Sequence, residues 1–561
     1  MLIGLLRSLR RTSAARLNGE AIGEWRRNDL ARAERLFRQA IAASPGLPHA
    51  WSNLGQVLWE QCRYEEGLEC LRQAVGADPG SAAAHANLAN ALLRASRFDQ
   101  AVESYREALR LDPGLTGVRA SFIKALRDLC EWEEADAHAA ALQEQWRGDA
   151  RVAAQVPPFL SLVVSFAPEF RLAVARANAQ AVLAKVAGLP RPGRARAARP
   201  RARLRIGYLS ADLHEHAIGR ASLRLFECHD RDRFETFAYR LDVDDGSALR
   251  TRLAAAFDHV VDAHGEPFHV TAQRIAADGI DILVDLMGYT GLARPEVLAL
   301  RPAPVQIAYL GYAGTTGASY IDHLIADDVV VPEADERWYA ERLLRLPCGF
   351  FPASDARPPP SALHRGDFGV PASAVVFCSF NAAHKIEQEV FAAWMRILRE
   401  VPRGVLWLGA GQAEARLRRA AEAAGVAPDR LLFARRVASE ADYLGRLRLA
   451  DLFLDTRTYN AHSTAADALW AGMPVLTVDG GAFAGRVAAS LVRCAGLPEL
   501  ATPDLQAYEA AAVRLATEPQ ALARLRGRLD AARAASPLFD PRPYARALEA
   551  AYLGLAGIRS N

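Results

Sequence analysis

The sequence lacks paired cysteines, long apolar runs and a strong net charge, and each absence narrows the possible classes of protein. Its seven cysteines are scattered over 561 residues with no CxxC motif, which excludes a zinc knuckle and a disulfide framework and favours the reducing cytoplasm. No stretch approaches the roughly 20 apolar residues of a membrane span, so we expect none. A net charge of +3 gives no global field that would attract nucleic acid, and we expect no nucleic-acid partner.

Several familiar motifs are missing as well. The segment "MLIGLLRSLRRTSAAR" puts its apolar run before its arginines, the reverse of a secretory signal. There is no P-loop and no GxSxG motif, and "GAG" at 409–411 is too short for a dinucleotide fingerprint. "HEH" at 214–216 has no third metal ligand nearby, and "DVD" at 242–244 is more typical of a polar turn running into Asp245 and Gly246. We therefore expect no bound metal and no cofactor.

A 34-residue repeat occupies the front of the chain. Pro45, Pro79 and Pro113 stand at that interval within "ASPG", "ADPG" and "LDPG". The same interval relates a large residue and a small residue three positions later: Leu30, Tyr64, Phe98 and Trp132, then Ala33, Gly67, Ala101 and Ala135. This pattern is the tetratricopeptide signature, in which stacked helix pairs bury a shared core. The sequence predicts a superhelix over 1–149, with full repeats at 48–81 and 82–115, and this part predicts a protein-binding surface.

Residues 150–203 break the repeat pattern. Residues 156–187 have a helical and apolar character, and "LPRPGRARAARPRARLR" then places seven arginines and three prolines within 189–205. Nucleic-acid contact is one interpretation of these arginines. A solvated interdomain linker is the interpretation that we prefer, because no aromatic residues interleave the arginines to stack on bases.

From Leu204 onward, short β-branched runs alternate with amphipathic stretches, a rhythm that predicts βαβ units and parallel sheets. The first series of predicted strands is "LRIGYLS", "FETFAYRLD", "HVVDA", "IDILVDL", "VQIAYLG" and "HLIAD". After a spacer containing "ARPPPSA" at 356–362, the second series is "AVVFCSFN", "VLWLGAG", "LLFARR", "DLFLDT" and "PVLTVDG". We predict two Rossmann-like domains, over 204–355 and 356–561, that bind ligands at the carboxyl ends of their strands.

One strand end carries an unusual cluster of polar residues. In "NAHSTAADALWAG" at 460–472, His462, Ser463 and Thr464 begin a predicted helix, where free N–H groups and the helix dipole attract an anion. Asp467, one turn into the helix, suits ribose hydroxyls, and Lys385 at another strand end would supply a countercharge. Phosphate together with ribose indicates a nucleotide. The alternative is a capped helix with an aspartate at the surface.

Several long motifs, in this order, are similar to those of the O-GlcNAc transferase family in its bacterial form. After the repeats they are "LRIGYLSADLHEHAIG", "DILVDLMGYT", "RPAPVQIAYLGYAGTTG", "CSFNAAHKI", "LADLFLDTRTYNAHSTAADALWAGMPVLT" and "RVAASLV". The SPINDLY-type plant relatives, which transfer fucose, share the architecture. The resemblance covers nearly the whole chain. It implies a GT-B fold, that is, an α plus α/β chain with two Rossmann-like domains, and inverting transfer from a nucleotide-sugar without a bound metal.

The resemblance also implies roles for residues at matching positions. Lys385 corresponds to the family's diphosphate lysine, and His216 to an active-site histidine that either accepts a proton or orients the acceptor. The residues implied in donor binding are Asp285, Tyr289, Gly311, Gly314, Thr315, Ala438, Tyr443, Arg446, His462, Ser463, Thr464 and Asp467. Among them the Ala438 backbone would flank the base, Tyr443 would stack on it and Asp467 would hold the ribose.

Three functions remain open on the sequence alone. The first is an enzyme that moves GlcNAc from UDP-GlcNAc to Ser or Thr hydroxyls of proteins. The second keeps the fold but uses GDP-fucose or UDP-glucose as the donor. The third is a non-catalytic adaptor, against which the retention of His216, Lys385, His462 and Asp467 together argues. We favour the first.

The repeats offer a way to hold acceptor proteins. Asn53 and Asn87 are 34 residues apart and occupy the same position in successive helices. A row of amides, which both donate and accept, holds an extended backbone without reading its side chains, and the related transferases use such a ladder. Gly19 and Ser121 stand at the neighbouring registers, so the ladder is short. The alternative is that both asparagines are merely exposed polar residues.

Overall fold

The computed structural model describes residues 2–27, 29–193, 202–347, 349–352 and 354–557 of the chain. The chain divides after Gln145 into two compact units. The middle of the arginine-rich stretch, residues 194–201, lies outside the described residues, so its interpretation as a linker stays a prediction. None of the described helices is both long and apolar enough to cross a membrane.

Antiparallel helix pairs build the first unit, which confirms the predicted tetratricopeptide repeats. Its helices, the last of which runs just past the unit, are α1 (Leu2–Arg26), α2 (Leu30–Ala43), α3 (Pro48–Glu60), α4 (Tyr64–Ala77), α5 (Ala82–Arg94), α6 (Phe98–Leu111), α7 (Thr116–Asp128) and α8 (Trp132–Gly148). Small residues let paired helices approach closely: a Cβ added to Gly67 would lie 2.8 Å from the carbonyl oxygen of Gly55. The turns inside successive pairs carry Cys62, Ser96 and Cys130, again 34 residues apart, all with positive φ.

The segment after the repeats belongs to the second unit. Its helices are α9 (Leu160–Val163) and α10 (Pro168–Val186). They pack on the loop around residues 312–317, where the Tyr312 hydroxyl donates to the Pro158 carbonyl oxygen at 3.0 Å. A Cβ on Gly317 would lie only 2.4 Å from the carbonyl carbon of Ala175, so glycine is required there. This segment therefore supports a strand-end loop of the first sheet.

The first predicted Rossmann-like domain contains a seven-stranded parallel sheet in the order β3-β2-β1-β4-β5-β6-β7. Its strands and helices are β1 (Leu204–Ser210), α11 (Ala217–Glu227), β2 (Phe234–Arg240), α12 (Ala248–Ala255), β3 (His259–Asp262), α13 (Phe268–Ala277), β4 (Ile282–Asp285), α14 (Pro295–Ala299), β5 (Val305–Ala308), β6 (His323–Ala326) and β7 (Arg342–Arg345). The inner strands β1, β2, β4, β5 and β6 are largely buried and are rich in apolar residues, whereas the edge strands β3 and β7 are mostly exposed or half-buried. The sequence pattern predicts all of these strands except β7, in which arginines at both ends interrupt the apolar run.

The second predicted domain contains a six-stranded parallel sheet in the order β10-β9-β8-β11-β12-β13. Its elements are β8 (Val375–Ser379), α15 (Gln388–Glu400), β9 (Gly404–Gly409), α16 (Glu414–Ala423), β10 (Leu431–Ala434), α17 (Glu440–Leu447), β11 (Leu452–Leu454), α18 (Ser463–Trp470), β12 (Val475–Val478), α19 (Phe483–Cys494), β13 (Ala501–Thr502), α20 (Leu505–Thr517), α21 (Pro519–Ala535) and α22 (Pro541–Gly557). Only β13, two residues long, escapes the sequence pattern. The last helix returns to the first sheet, where the hydroxyls of Tyr544 and Tyr309 lie 2.6 Å apart.

Candidate active site

In each sheet the chain adds strands first toward one edge and then toward the other, so the strand order reverses between two neighbouring strands. The predicted site residues lie in the loops that follow these strands. In the first sheet the reversal lies between β1 and β4, so the loop carrying His216 and the loop after Asp285 flank it. In the second sheet it lies between β8 and β11, so the loops carrying Lys385 and His462 flank it. Ligands of open α/β sheets bind at such reversals. The two reversals meet because α11, which starts after His216, packs against α18, which starts after His462.

Lys385 lies in the loop after β8, and within the part of the chain that the structure describes it forms no ion pair. Its ammonium donates to the Asn460 carbonyl oxygen at 3.1 Å and lies 3.9 Å from the centroid of the Tyr459 ring. Burial lowers the pKa of Lys385 to about 8, although the nearby Asp455 carboxylate opposes that shift. A lysine so placed gains from an incoming anion, because the anion replaces the solvation that burial has removed.

The start of α18 is open toward the same region. The first helical hydrogen bond runs from the Ala466 N–H to the His462 carbonyl at 3.0 Å, so the N–H groups of Ser463 and Thr464 precede it. The His462 ring donates through Nε2 to the Ala484 carbonyl at 3.0 Å, which leaves Nδ1 as an acceptor. Burial and the Lys385 charge lower the pKa of His462 to about 3, so the ring is neutral. The expected anion site at this helix start has the N–H groups it needs.

Asp467 lies buried in the first turns of α18. It is only 8% exposed, so the alternative of a surface aspartate is wrong. Its carboxylate is ion-paired to Arg357, which also reaches Glu440 at 2.5 Å. Burial raises the pKa of Asp467, and the Arg357 guanidinium opposes that rise. A ribose hydroxyl at this carboxylate would therefore share it with Arg357, a residue that sequence reasoning assigned to a spacer.

A second buried carboxylate, Asp455, organises the loop that leads to α18. It accepts hydrogen bonds from the Thr456 and Ala461 amides, both at 2.8 Å, and from the Asn381 side chain at 2.9 Å. Burial raises the pKa of Asp455 to about 6. The interaction with Asn381 joins the loop after β8 to the loop after β11 and so fixes Lys385 relative to His462. Sequence reasoning missed both residues, although their places at strand ends could have indicated them.

The residues that we predict to bind the nucleotide base lie on or next to α17. The Arg446 guanidinium carbon lies 4.7 Å from the centroid of the Phe380 ring and 5.6 Å from that of Tyr443, and its Nη1 donates to the Arg435 carbonyl at 2.6 Å. Ala438 is exposed in the loop that precedes the helix. Helix α17, which carries Tyr443, packs against α18, which carries Asp467, so the aromatic residue lies on the helix next to the predicted ribose position.

His216 occupies the cap of α11. Its Nδ1 accepts from the Ile218 N–H at 3.3 Å and lies 3.5 Å from the Asp212 carboxylate, and the side chain is 43% exposed. Desolvation lowers the pKa of His216, and Asp212 opposes that change. With Nδ1 accepting a backbone hydrogen bond, the neutral ring carries its proton on Nε2. This tautomer donates a hydrogen bond to a ligand more readily than it removes a proton.

The remaining predicted donor residues of the first sheet shape its loops. Both Asp285 oxygens accept from amides of their own loop, those of Met287 at 3.0 Å and Gly288 at 2.9 Å, and burial raises the Asp285 pKa to about 6. The Tyr289 hydroxyl donates to the Thr316 carbonyl at 2.7 Å. These side chains are therefore engaged within the protein, and they position loops around the reversal point.

The loop at 311–317 is fixed in the same way. A Cβ on Gly311 would lie 1.9 Å from the Leu286 carbonyl oxygen, and one on Gly314 would lie 3.1 Å from Leu162. The Thr315 hydroxyl donates to Glu341, a 6% exposed carboxylate, at 2.6 Å. Glycine at 311 thus lets this loop contact the loop after β4. Glu341, which the sequence analysis did not identify, fixes the loop through its hydrogen bond with Thr315.

Asn53 and Asn87 lie in the first unit and are half-buried. The Asn53 amide donates to the Asn18 side chain at 3.1 Å, so a third amide joins the row next to the Gly19 register. Asn87 lines a groove with Asn90, Trp59 and Arg94. The amides are therefore arranged on helices of successive repeats, and neither asparagine is simply a solvated residue.

The rejected metal motifs have structural explanations. Asp242 is buried against Arg250, and Asp244 accepts from the Gly246 amide at 2.9 Å, where Gly246 has a φ of 66°. The predicted polar turn is confirmed. Within the described ranges, no three His, Cys, Asp or Glu side chains are grouped so that they could hold a metal ion.

Comparisons with known proteins point to one family. The model of glycosyl transferase family 41 matches residues 129–358 and 359–548, and a tetratricopeptide repeat model matches 18–68 and 57–116. The solved structure of an O-GlcNAc transferase mutant from Thermobaculum terrenum is similar to this chain with a TM-score of 0.68 and 30% identity, covering 97% of each chain. The predicted repeats and paired Rossmann-like domains are thus confirmed as a GT-B arrangement.

Two curated relatives carry names that specify a reaction. A probable UDP-N-acetylglucosamine–peptide N-acetylglucosaminyltransferase, SEC, from Arabidopsis thaliana is 35% identical over 76% of this chain and 45% of its own length. The UDP-N-acetylglucosamine–peptide N-acetylglucosaminyltransferase of Caenorhabditis elegans is 30% identical over 62% of this chain and 40% of its own length. The chain spans less than half the length of these curated relatives.

Proposed function

Since the chain belongs to glycosyl transferase family 41, we propose that it transfers GlcNAc from UDP-GlcNAc to Ser or Thr hydroxyls of proteins in the cytoplasm. The observation that carries this proposal is the unpaired Lys385 ammonium opposite the open start of α18. The names of the relatives favour UDP-GlcNAc over the GDP-fucose and UDP-glucose alternatives. The domain limits 1–149, 150–203, 204–355 and 356–561 and the roles of the donor residues belong to this proposal.

The proposed reaction is one in-line displacement. The acceptor oxygen attacks the anomeric carbon, the bond from that carbon to the diphosphate oxygen breaks, and its electron pair leaves with the diphosphate. Lys385 and the N–H groups of Ser463 and Thr464 stabilise the charge that develops there. Asp467 and Tyr443 hold the ribose and the base.

The hydroxyl proton of the acceptor needs a destination. The hydrogen bond from the Ile218 amide to Nδ1 of His216 puts the ring proton on Nε2, which supports a role for His216 in orienting the acceptor. A donor phosphate oxygen then accepts the proton. A role for His216 as general base would require the opposite tautomer.

A thermal-shift series with UDP, GDP, UDP-GlcNAc and GDP-fucose tests the donor class. A ligand at about 100 times its Kd stabilises the protein by about 2.7 kcal/mol. We expect UDP and UDP-GlcNAc to raise the Tm and the guanosine ligands to leave it unchanged. If no nucleotide shifts the Tm, the chain is a binding adaptor instead.

We expect kcat/KM to fall as the pH rises through about 8, because burial lowers the pKa of Lys385 to about 8. The lysine is charged below that pKa and neutral above it, so the stabilisation of the leaving diphosphate is lost on the alkaline side. His462, whose pKa is lowered to about 3, stays neutral over this pH range and does not affect the pH dependence of kcat/KM. The measurement is kcat/KM as a function of pH for the wild type and for Lys385→Arg, whose side chain stays charged. If kcat/KM falls equally above about pH 8 in both proteins, Lys385 is not the group that titrates.

We expect turnover to survive excess EDTA, because Lys385 and the helix amides take the role that a metal ion plays in other sites. The measurement is the initial rate with and without the chelator after extensive dialysis. Activity that disappears and returns with added Mn²⁺ or Mg²⁺ would show that the proposal has misplaced the source of positive charge.

We expect the double change Asn53→Ala/Asn87→Ala to raise the KM for protein acceptors several-fold and leave donor hydrolysis unchanged. The amides lie on successive repeats and would hold the acceptor backbone. Gln73→Ala, which removes an exposed amide bonded to Glu69 on the same unit, is the matched control. Equal loss of both activities would indicate a damaged fold, and unchanged KM would mean that the acceptor enters by another route.

A further inference from the structure

A cavity in the second unit lies beside α10, the loop at 312–315 and the start of α19. Its polar side chains include Arg171, Asp335 and Tyr339, and its apolar walls include Leu162 and Trp338. None of these side chains takes part in the donor site described above.

Arg171 brings into this cavity a positive charge that the protein does not neutralise. Within the part of the chain that the structure describes, its guanidinium makes no hydrogen bond and no ion pair. The cavity carboxylate, Asp335, is already paired with Arg486 at 2.6 Å, and Arg486 repels Arg171. Arg486 also lies 3.9 Å from Asp479, so two carboxylates face its charge. Arginine keeps its charge even where burial lowers its pKa, so Arg171 carries a full positive charge in the cavity at neutral pH.

The size of the cavity limits what can neutralise that charge. Its volume is about 50 Å³. One water needs about 10–15 Å³ by the same measure, so the cavity holds a few waters or an ion of similar size and excludes a nucleotide-sugar. The planar fork of a guanidinium matches the oxygens of phosphate and carboxylate groups. We propose that the Arg171 cavity is a second anion site, which takes a single phosphate group or a small carboxylate.

The cavity borders the predicted donor site, because Gly314 and Thr315 line it. Ala484 lines the cavity, and its carbonyl oxygen accepts from the Asn460 amide at 2.9 Å and from the His462 ring at 3.0 Å. An anion at Arg171 would bridge α10, the loop at 312–315 and the start of α19. It would thereby stiffen the segments that support Thr315 and His462. The inference does not rest on the proposed transferase activity, because it uses no contact with the donor.

The test is binding of inorganic phosphate to the full chain at constant ionic strength, followed by thermal shift and calorimetry, with acetate as the carboxylate probe. We expect phosphate to raise the Tm of the wild type, of Lys385→Ala and of Arg176→Gln, an exposed arginine of the same helix that serves as control. In Arg171→Gln the Kd should rise at least about tenfold. Binding of acetate in place of phosphate assigns the site to carboxylates.

Two results would overturn the inference. One is wild-type phosphate and acetate affinity in Arg171→Gln. The other is a phosphate shift that survives in Arg171→Gln but vanishes in Lys385→Ala, because that result places the ion in the donor site. If Arg171→Gln does not fold, as judged by circular dichroism, Arg171→Lys replaces it: the lysine keeps the charge but loses the fork, so weaker binding supports the site and equal binding contradicts it. A UDP shift measured alongside reports separately on the donor site.

Discussion

Replacing Lys385 by alanine is expected to lower kcat by about two to three orders of magnitude and leave the fold intact. The ammonium lies at the reversal point of the second sheet, where it contacts the Asn460 carbonyl oxygen and the face of the Tyr459 ring. Losing a cation at a developing diphosphate should cost about 3–4 kcal/mol, as deletions in oxyanion holes do, or about 10²- to 10³-fold in kcat. Among the described residues, no carboxylate lies within hydrogen-bond range of this buried charge, so its removal should not destabilise the protein.

The measurement is steady-state and single-turnover kinetics with saturating donor, with Lys185→Ala as the control. Lys185 is an exposed lysine bonded to Glu296, and its removal should change nothing. A lysine at position 385 is unusual for this chain, in which only three of the 68 lysines and arginines are lysines. A folded Lys385→Ala protein with near-wild-type kcat would remove Lys385 from the mechanism.

Replacing Arg357 by alanine should cost stability and donor affinity together. The side chain is 9% exposed and pairs with both Asp467 and Glu440. Its loss leaves the Asp467 carboxylate buried without a partner, and breaking a buried pair in this way costs about 3–5 kcal/mol. The KM for the donor should also rise, because an unpaired Asp467 moves or becomes protonated.

Denaturant unfolding measures the first effect, and Arg396→Ala is the matched control. Arg396 forms a surface pair with Glu509 and should contribute less than about 1 kcal/mol. Arg357→Lys keeps a charge but loses the fork, so its stability should fall between those of the wild type and the alanine variant. An alanine variant with an unchanged unfolding midpoint would mean that Asp467 finds another partner.

The sequence predicts features that depend on local periodicity. The 34-residue interval defines the repeats, and apolar runs define eleven strands whose ends carry Lys385, His216 and the start of α18. Because parallel strands bring their carboxyl ends to one edge of a sheet, the sequence alone identifies these residues as candidates for a ligand site. Only the family resemblance adds what each of them does.

Partners that are far apart in sequence escape that reasoning. Arg357 meets Asp467 across 110 residues, and Asp455 meets Asn381 across 74. Glu341 supports Thr315 from beside β7, a strand whose arginines conceal it. Such pairings depend on how two sheets are assembled, and no period of 2 or 3.6 residues records them. The sequence therefore predicts which groups face the ligand more readily than which groups hold them in place.

The central claim is tested most directly by mass spectrometry of protein acceptors incubated with this protein and equal concentrations of UDP-GlcNAc, UDP-glucose and GDP-fucose. We predict that Ser and Thr hydroxyls gain N-acetylhexosamine from UDP-GlcNAc alone and that Lys385→Ala yields at least about a hundredfold less product in the same time. Transfer of fucose or glucose in place of N-acetylhexosamine, or no transfer from any donor by a protein that binds none of them, would contradict the account.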